Sequence, residues 1–336
     1  MPVLYATTPG TRISLTSERL EIVQPPLDGS EPERVHSVHL RDVEQIVIAS
    51  GCHITTPALS ACVARGIPVV LLAGPTHVVG LCVPSPPLSP VRRQQYKVSL
   101  DVGAALAIAR KLVRAKILNQ RRVLQRLSAN RPGAFVAEPI EKLRSLADST
   151  EKATHMDILR GIEGAAAGLY YTVYGSFFPD HCPFEYRSRR PPHNAANALL
   201  SYAYTRLAVE VEVSLWLEGF DPAIGFYHEP DTGRPALALD LMEPYRAPLA
   251  DALALDMISH KMLDPEEHFE PHNGGVFLKL DGKRRFFLNY EKRMTREFLD
   301  RTTGVRTTLR GAIQRDVQNL RLHLMEGKTF EPFLMP

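Results

Sequence analysis

Between Pro84 and Pro90 the chain reads PSPPLSP, four prolines in seven residues. Proline has no backbone N–H and a fixed φ, so this stretch can extend neither a sheet ladder nor a helix. Residues 84–91 are therefore a stiff linker, and the chain on each side must build its own core. The expected architecture is α+β with two domains. A β-rich N-terminal domain covers 1–83, a mainly α-helical C-terminal domain covers 92–326, and 327–336 form a tail. At 336 residues the chain is long enough for both cores.

Residues 1–83 read as strands. VLYATT, then RISLTSERLEIV with a turn near Ser17-Glu18, then VHSVHL and EQIVIAS carry the strand pattern. TTPALSACVARG is a short helix capped by Thr55 or Thr56 and stopped at Gly66. The continuous apolar runs IPVVLLA and HVVGLCV complete the set as buried strands. No catalytic constellation is apparent in this half.

The formal net charge of +3 is compatible with a nucleic-acid partner without requiring one. No apolar run approaches the roughly 18 residues that would span a bilayer. MPVLYATTPG has no basic n-region, so a secretory signal is not expected. Cys52, Cys62, Cys82 and Cys182 are widely spaced with no CxxC pair, as for reduced thiols in a cytoplasm.

The chemistry gathers after the linker. In Gly225–Pro248, GFYHEPDTGRPALALDLMEPYRAP, His228 is followed by Asp240 and Glu243, 12 and 15 residues on. The turn Asp231–Pro235 precedes the alternating run ALALDL, which can fold back on the residues before the turn. Pro244 disfavours helix at Glu243 but suits the first turn of a helix starting there. One imidazole with two carboxylates is the donor set of a divalent-metal half-site, and equally of a solvated turn histidine with ordinary helix-end carboxylates.

Farther upstream, HMDILRGIEGAAAGLYYTVYGSFF reads as a helix. Its Glu163 is ringed by Gly161, Gly164, Ala165, Ala166, Ala167 and Gly168. Interior glycine costs about 1 kcal/mol relative to alanine, so close approach of another backbone or of a ligand is expected here. A lone carboxylate in such a helix must be paired, protonated or metal-bound.

Basic runs accompany these segments. Arg110, Lys111, Arg114, Lys116, Arg121, Arg122 and Arg126 lie within 17 residues, and no acidic residue occurs between Asp101 and Glu138. Either a polyanion meets this helix or it is a plain exposed basic face. RSRRPP (Arg187–Pro192) is a basic loop, NALLSYAYTRLAVEVEVSLW a long apolar helix, and GGVFLKLDGKRRFFLNYEKRM a hairpin about Asp281-Gly282 followed by a helix.

Four pieces in order, GIEGAAA, RRPPHNAANALLSYAYT, GFYHE and LDLMEPYRAP, resemble the CRISPR-associated endonuclease and integrase of the adaptation module, the first Cas protein (Cas one). The resemblance covers essentially the whole chain. It implies that the helical domain is catalytic and that Glu163, His228 and Glu243 hold Mg²⁺ or Mn²⁺, with Asp240 behind them or as an occasional ligand. It implies a homodimer, with the β-rich domain as the contact, that joins the small ferredoxin-like second Cas protein. It implies insertion of short double-stranded DNA fragments at a CRISPR repeat by attack of their 3′-hydroxyls. Family members often carry an acidic residue where this chain has His193-Asn194. On this reading Arg110, Arg114, Arg121, Arg122, Arg187, Arg189, Arg190 and Arg246 are expected to face phosphates, with steep salt dependence. A branched-DNA repair nuclease would use the same site, and a non-catalytic DNA-binding scaffold would not need it.

Overall fold

The computed structural model describes residues 3–26, 34–73, 77–83, 89–129, 136–300 and 303–336. The chain separates into two compact units, Met1–Pro87 and Leu88–Pro336. Residues 84–88 of the linker lie outside the described part, and Ser89, Pro90 and Val91 already belong to a helix. Proline at a helix start forfeits no hydrogen bond, which is why the linker ends earlier than its prolines indicate.

In the first unit, strands β1 (Val3–Ala6), β2 (Arg12–Thr16), β3 (Arg19–Gln24), β4 (Arg34–His39), β5 (Gln45–Ala49) and β6 (His53–Ile54) precede helix α1 (Thr56–Ala64) and strands β7 (Val69–Ala73) and β8 (His77–Cys82). They make two four-stranded sheets, ordered β1-β5-β7-β8 and β4-β3-β2-β6. In the former, β1, β5 and β7 are parallel, with Leu4 opposite Ile46 and Val47 opposite Val70, while β8 returns antiparallel. Parallel strands need both faces covered, which the apolar runs of β5 and β7 supply. Thr55 caps α1 by accepting from the Ala58 N–H, and Gly66 at φ 76° lets the chain turn out of it. Ile13, Leu20, Leu40, Ile46, Ala58, Cys62 and Val69 form the core of the unit.

The second unit is helical: α2 (Ser89–Leu100), α3 (Val102–Ala129), α4 (Ala137–Ser149), α5 (Met156–Gly175), α6 (Ala195–Glu218), α7 (Ala236–Tyr245), a π-helical turn (Arg246–Asp251) and α8 (Ala252–Ser259). A hairpin of β9 (Phe269–His272) and β10 (Gly275–Leu278), helix α9 (Leu280–Thr295), the short pair β11 (Phe298–Leu299) and β12 (Arg306–Thr307), and α10 (Leu309–Glu326) complete it. The long helix α3 packs against α2, α4, α5 and α7 and is the axis of the unit.

Three local expectations are corrected. The run ALALDL is helix α7, because its residues are buried almost all round and apolar alternation alone does not separate strand from buried helix. Glu243 and Pro244 therefore lie in the last turn of α7, which runs on into the π turn, instead of starting a helix. The hairpin turns at Asn273-Gly274, both at positive φ, and Asp281-Gly282 sit in the first turn of α9. Residues 327–336 are no loose tail: Phe330 and Phe333 are buried, and Phe333 stacks on Tyr245 with ring centroids 4.9 Å apart.

Candidate active site

Three elements deliver the candidate residues: Glu163 from α5, His228 from the loop between α6 and α7, and Asp240 and Glu243 from α7. Asp240, fully buried, organises the loop. Its Oδ2 accepts from the Phe226 and Tyr227 N–H groups at 2.6 and 2.9 Å, and its Oδ1 from the His228 N–H at 2.8 Å. The fourth contact is with His228 Nδ1, 2.7 Å from Oδ1. Both oxygens are thus committed, so Asp240 orients the imidazole and has no lone pair facing elsewhere. Gly225 makes the wrap possible: a Cβ there would stand 2.8 Å from Asp240 Oδ2 and from the His228 carbonyl.

With Nδ1 held, His228 turns its Nε2 to Glu243, whose Oε1 is 3.8 Å away. Glu243 is only 3% exposed. Burial would push its carboxyl up, but the cations Arg246 and Lys116, with His228, hold it down to about 2. Arg246 Nη1 is 3.2 Å from Glu243 Oε1. Lys116, on α3, reaches both Glu163 Oε1 and Glu243 Oε2, the latter at 2.7 Å. That second contact is a short, charge-assisted one between buried groups.

The end of α7 is braced from α3. Pro248, four residues after Pro244, has no N–H for the Pro244 carbonyl, and the helix widens into its π turn here. Asn119 Nδ2 supplies the missing donor at 2.7 Å and also donates to the Phe333 carbonyl at 2.9 Å. Asp251, the last residue of the π turn, is buried among tyrosines. It accepts from Tyr170 and Tyr204, and burial pushes its carboxyl up to about 6. The Tyr204 ring carries the Arg246 guanidinium 4.9 Å from its centroid and that of Arg187 at 5.4 Å. Tyr202 packs edge-on against Phe286.

Most of the arginines expected to face phosphates have partners inside the chain. Arg110 donates to the Ala153 carbonyl, and Arg114 stands against Asp148 and Glu151. Arg121 meets the Ile140 carbonyl and Glu141, and Arg122 the main-chain oxygen of Pro336. Arg187 donates to Asn197 and Ser201. The acidic balance that α3 lacks in sequence comes from α4, from the turn after it and from the 327–336 segment. Arg189 and Arg190 are exposed on their loop. Asn194 caps α6 by accepting from the Asn197 N–H at 2.8 Å.

The helix of α5 also departs from expectation. A Cβ added at Gly161, Gly164 or Gly168 would meet nothing within 4 Å, so among the described residues no other backbone approaches there. Lys116 and Asn119 went unrecognised as site residues. Their signal was position: Lys116 shares a helix face with the buried Leu112 and Val123, where a solvated lysine does not belong.

Among the described residues, no three His, Cys, Asp or Glu side chains are grouped closely enough to hold one ion, as the Lys116 ammonium stands between two of the candidates. The donor types still suit a hard divalent cation: two carboxylates, one of them buried and ionised with its oxygens held by cations alone, and one imidazole with its distal nitrogen turned toward Glu243.

The model of the CRISPR associated protein Cas1 family matches residues 4–292. A CRISPR-associated endonuclease Cas1 of Thermus thermophilus is 34% identical over 293 residues, covering 87% of this chain and 86% of its own. Among solved structures, a casposase bound to integration product superposes with a TM-score of 0.86 at 22% identity, covering 100% of this chain and 94% of its own. A Cas6-RT-Cas1–Cas2 complex gives 0.78 at 24% identity over 100% of this chain and 36% of that chain. Among the described residues no helix is long and apolar enough to cross a membrane. The family match spans most of the sequence, from the first strand of the β unit through α9, and with it the chain belongs to the Cas1 family.

Proposed function

We propose that this chain is a metal-dependent DNA endonuclease and integrase that inserts short double-stranded fragments into a CRISPR array. The observation that carries the reading is the convergence of Glu163 and Glu243 on one cationic point, with His228 locked beside them by Asp240. Glu163, His228 and Glu243 would hold Mg²⁺ or Mn²⁺. When bound, such an ion polarises a phosphodiester and activates a 3′-hydroxyl or water for attack. Asp240 keeps the His228 Nδ1 side occupied, so the imidazole presents one nitrogen only. Arg246, held over Tyr204, leaves a cation beside Glu243 where phosphate charge would arrive. Arg189 and Arg190, exposed on the loop that follows Arg187, are the first candidates for backbone contacts.

In this reading the protein works in the cytoplasm as a homodimer with the small second Cas protein. The Cas2-containing complex and the casposase with its integration product, as fold neighbours, are in keeping with it. The test is strand transfer: fragments with free 3′-hydroxyls and a supercoiled repeat plasmid, in Mg²⁺ or Mn²⁺, with and without the small partner. Joined product should appear with wild type and vanish in Glu163→Ala, His228→Ala, Glu243→Ala and chelator. Cleavage of branched DNA with no joining under any partner would overturn the integrase reading.

A further inference from the structure

Among the described residues, Lys116 is the cation that touches two of the proposed ligands, and its side chain is only 6% exposed. A desolvated ammonium must be paired, and the partners it has are Glu163 and Glu243. Its contact with Glu243 Oε2, at 2.7 Å, is short and charge-assisted. Arg246 already meets the other oxygen of Glu243. Both oxygens of Glu243 are therefore engaged by charge, and a divalent ion held by Glu163 and Glu243 would have to compete with the Lys116 ammonium for the same carboxylates. A dication and an ammonium at that distance repel strongly in a buried site, so the two cannot share both carboxylates.

We propose that Lys116 is a resident counter-cation of this site: it holds Glu163 and Glu243 together while no divalent ion is bound, and it weakens the binding of that ion by having to be displaced. Lys116 is thus a positioning residue whose removal acts oppositely on the two states. Without metal, two carboxylates lose their partner and the unit loses stability. With metal, a competitor has gone and the ion binds more tightly. The inference rests on the proposed metal-dependent function, in which the same carboxylates are ligands.

The experiment compares wild type, Lys116→Met and the charge-keeping Lys116→Arg in the full chain. Mn²⁺ binding is titrated by the EPR signal of free Mn²⁺, and thermal unfolding is followed in chelator and in Mn²⁺. Lys116→Met should bind Mn²⁺ roughly tenfold more tightly or better. It should melt below wild type in chelator and gain more from Mn²⁺ than wild type does. Lys116→Arg should stay near wild type in affinity. Should Lys116→Met be unfolded in chelator, Mn²⁺ should restore its helical circular dichroism, and failure to do so overturns the proposal. Unchanged or weaker Mn²⁺ affinity in a folded Lys116→Met overturns the role of Lys116 alone. Folded wild type and Lys116→Met that both bind no Mn²⁺ overturn the metal reading with it.

Discussion

His228 Nδ1 lies 2.7 Å from Asp240 Oδ1, and the same carboxylate collects three successive backbone N–H groups leading up to that histidine. One buried side chain therefore sets the path of the loop and the orientation of the imidazole together. Asp240→Asn puts an NH₂ among donors and leaves at least one backbone N–H without an acceptor. We expect a loss of about 1–3 kcal/mol in chemical denaturation. Metal affinity, measured by Mn²⁺ titration, should fall by about 10–100-fold.

Two buried carboxyls make stability depend on pH. Burial pushes Asp251 and Asp316 up to about 6 from an ordinary 3.8. The folded state keeps protons that the unfolded chain releases, so this contribution is complete below about pH 4 and is lost as pH rises toward 6. Each carboxyl accounts for roughly 3 kcal/mol at most. Glu243, held down to about 2, acts in the opposite sense and only below its ordinary 4.5. Urea titrations between pH 4 and 7 should show stability falling across this window, and Asp251→Asn should flatten part of the fall.

Phe333→Ala removes the ring that stacks on Tyr245, two residues from Glu243. The site is 2% exposed, so a cavity is left, and thermal or urea unfolding should report a loss of about 3–5 kcal/mol. Strand-transfer activity should fall as well, while Phe333→Leu should recover much of both.

Gly164→Ala should stabilise the protein, by about 0.5–1 kcal/mol. It lies inside a helix, and the added Cβ meets nothing within 4 Å. The melting temperature should rise. A drop would show that the face is covered in the assembled protein.

What could be read from the sequence followed from how local the signal was. The strands around Ile46 and Val70, the cap at Thr55 and the stop at Gly66 are encoded within a few residues, and they appear as expected. Glu163, His228 and Glu243 carry strongly chemical side chains in distinctive surroundings, and the fold brings all three to Lys116 or to one another. Helix α7 was harder, because its opening Ala-Leu alternation suits a buried strand as well as a buried helix, and Pro244 pointed to a start instead of an end. Pairings across long separations were not legible. Nothing near Asn119 announces that it replaces the N–H missing from Pro248, and nothing near Arg122 announces Pro336. The basic stretch of α3 looked unbalanced only because its partners come from elsewhere.

The brace on α7 has a temporal consequence. A ribosome delivers the chain from its N-terminus, so Glu243, Pro244 and Asn119 emerge well before Phe333. Until that ring arrives, Tyr245 lacks its stacking partner and Asp316 lacks the Phe333 N–H that it accepts at 2.7 Å. Helix α7 therefore gains this support only after every proposed ligand has been made, and a nascent chain that already carries them all should still be a poor nuclease.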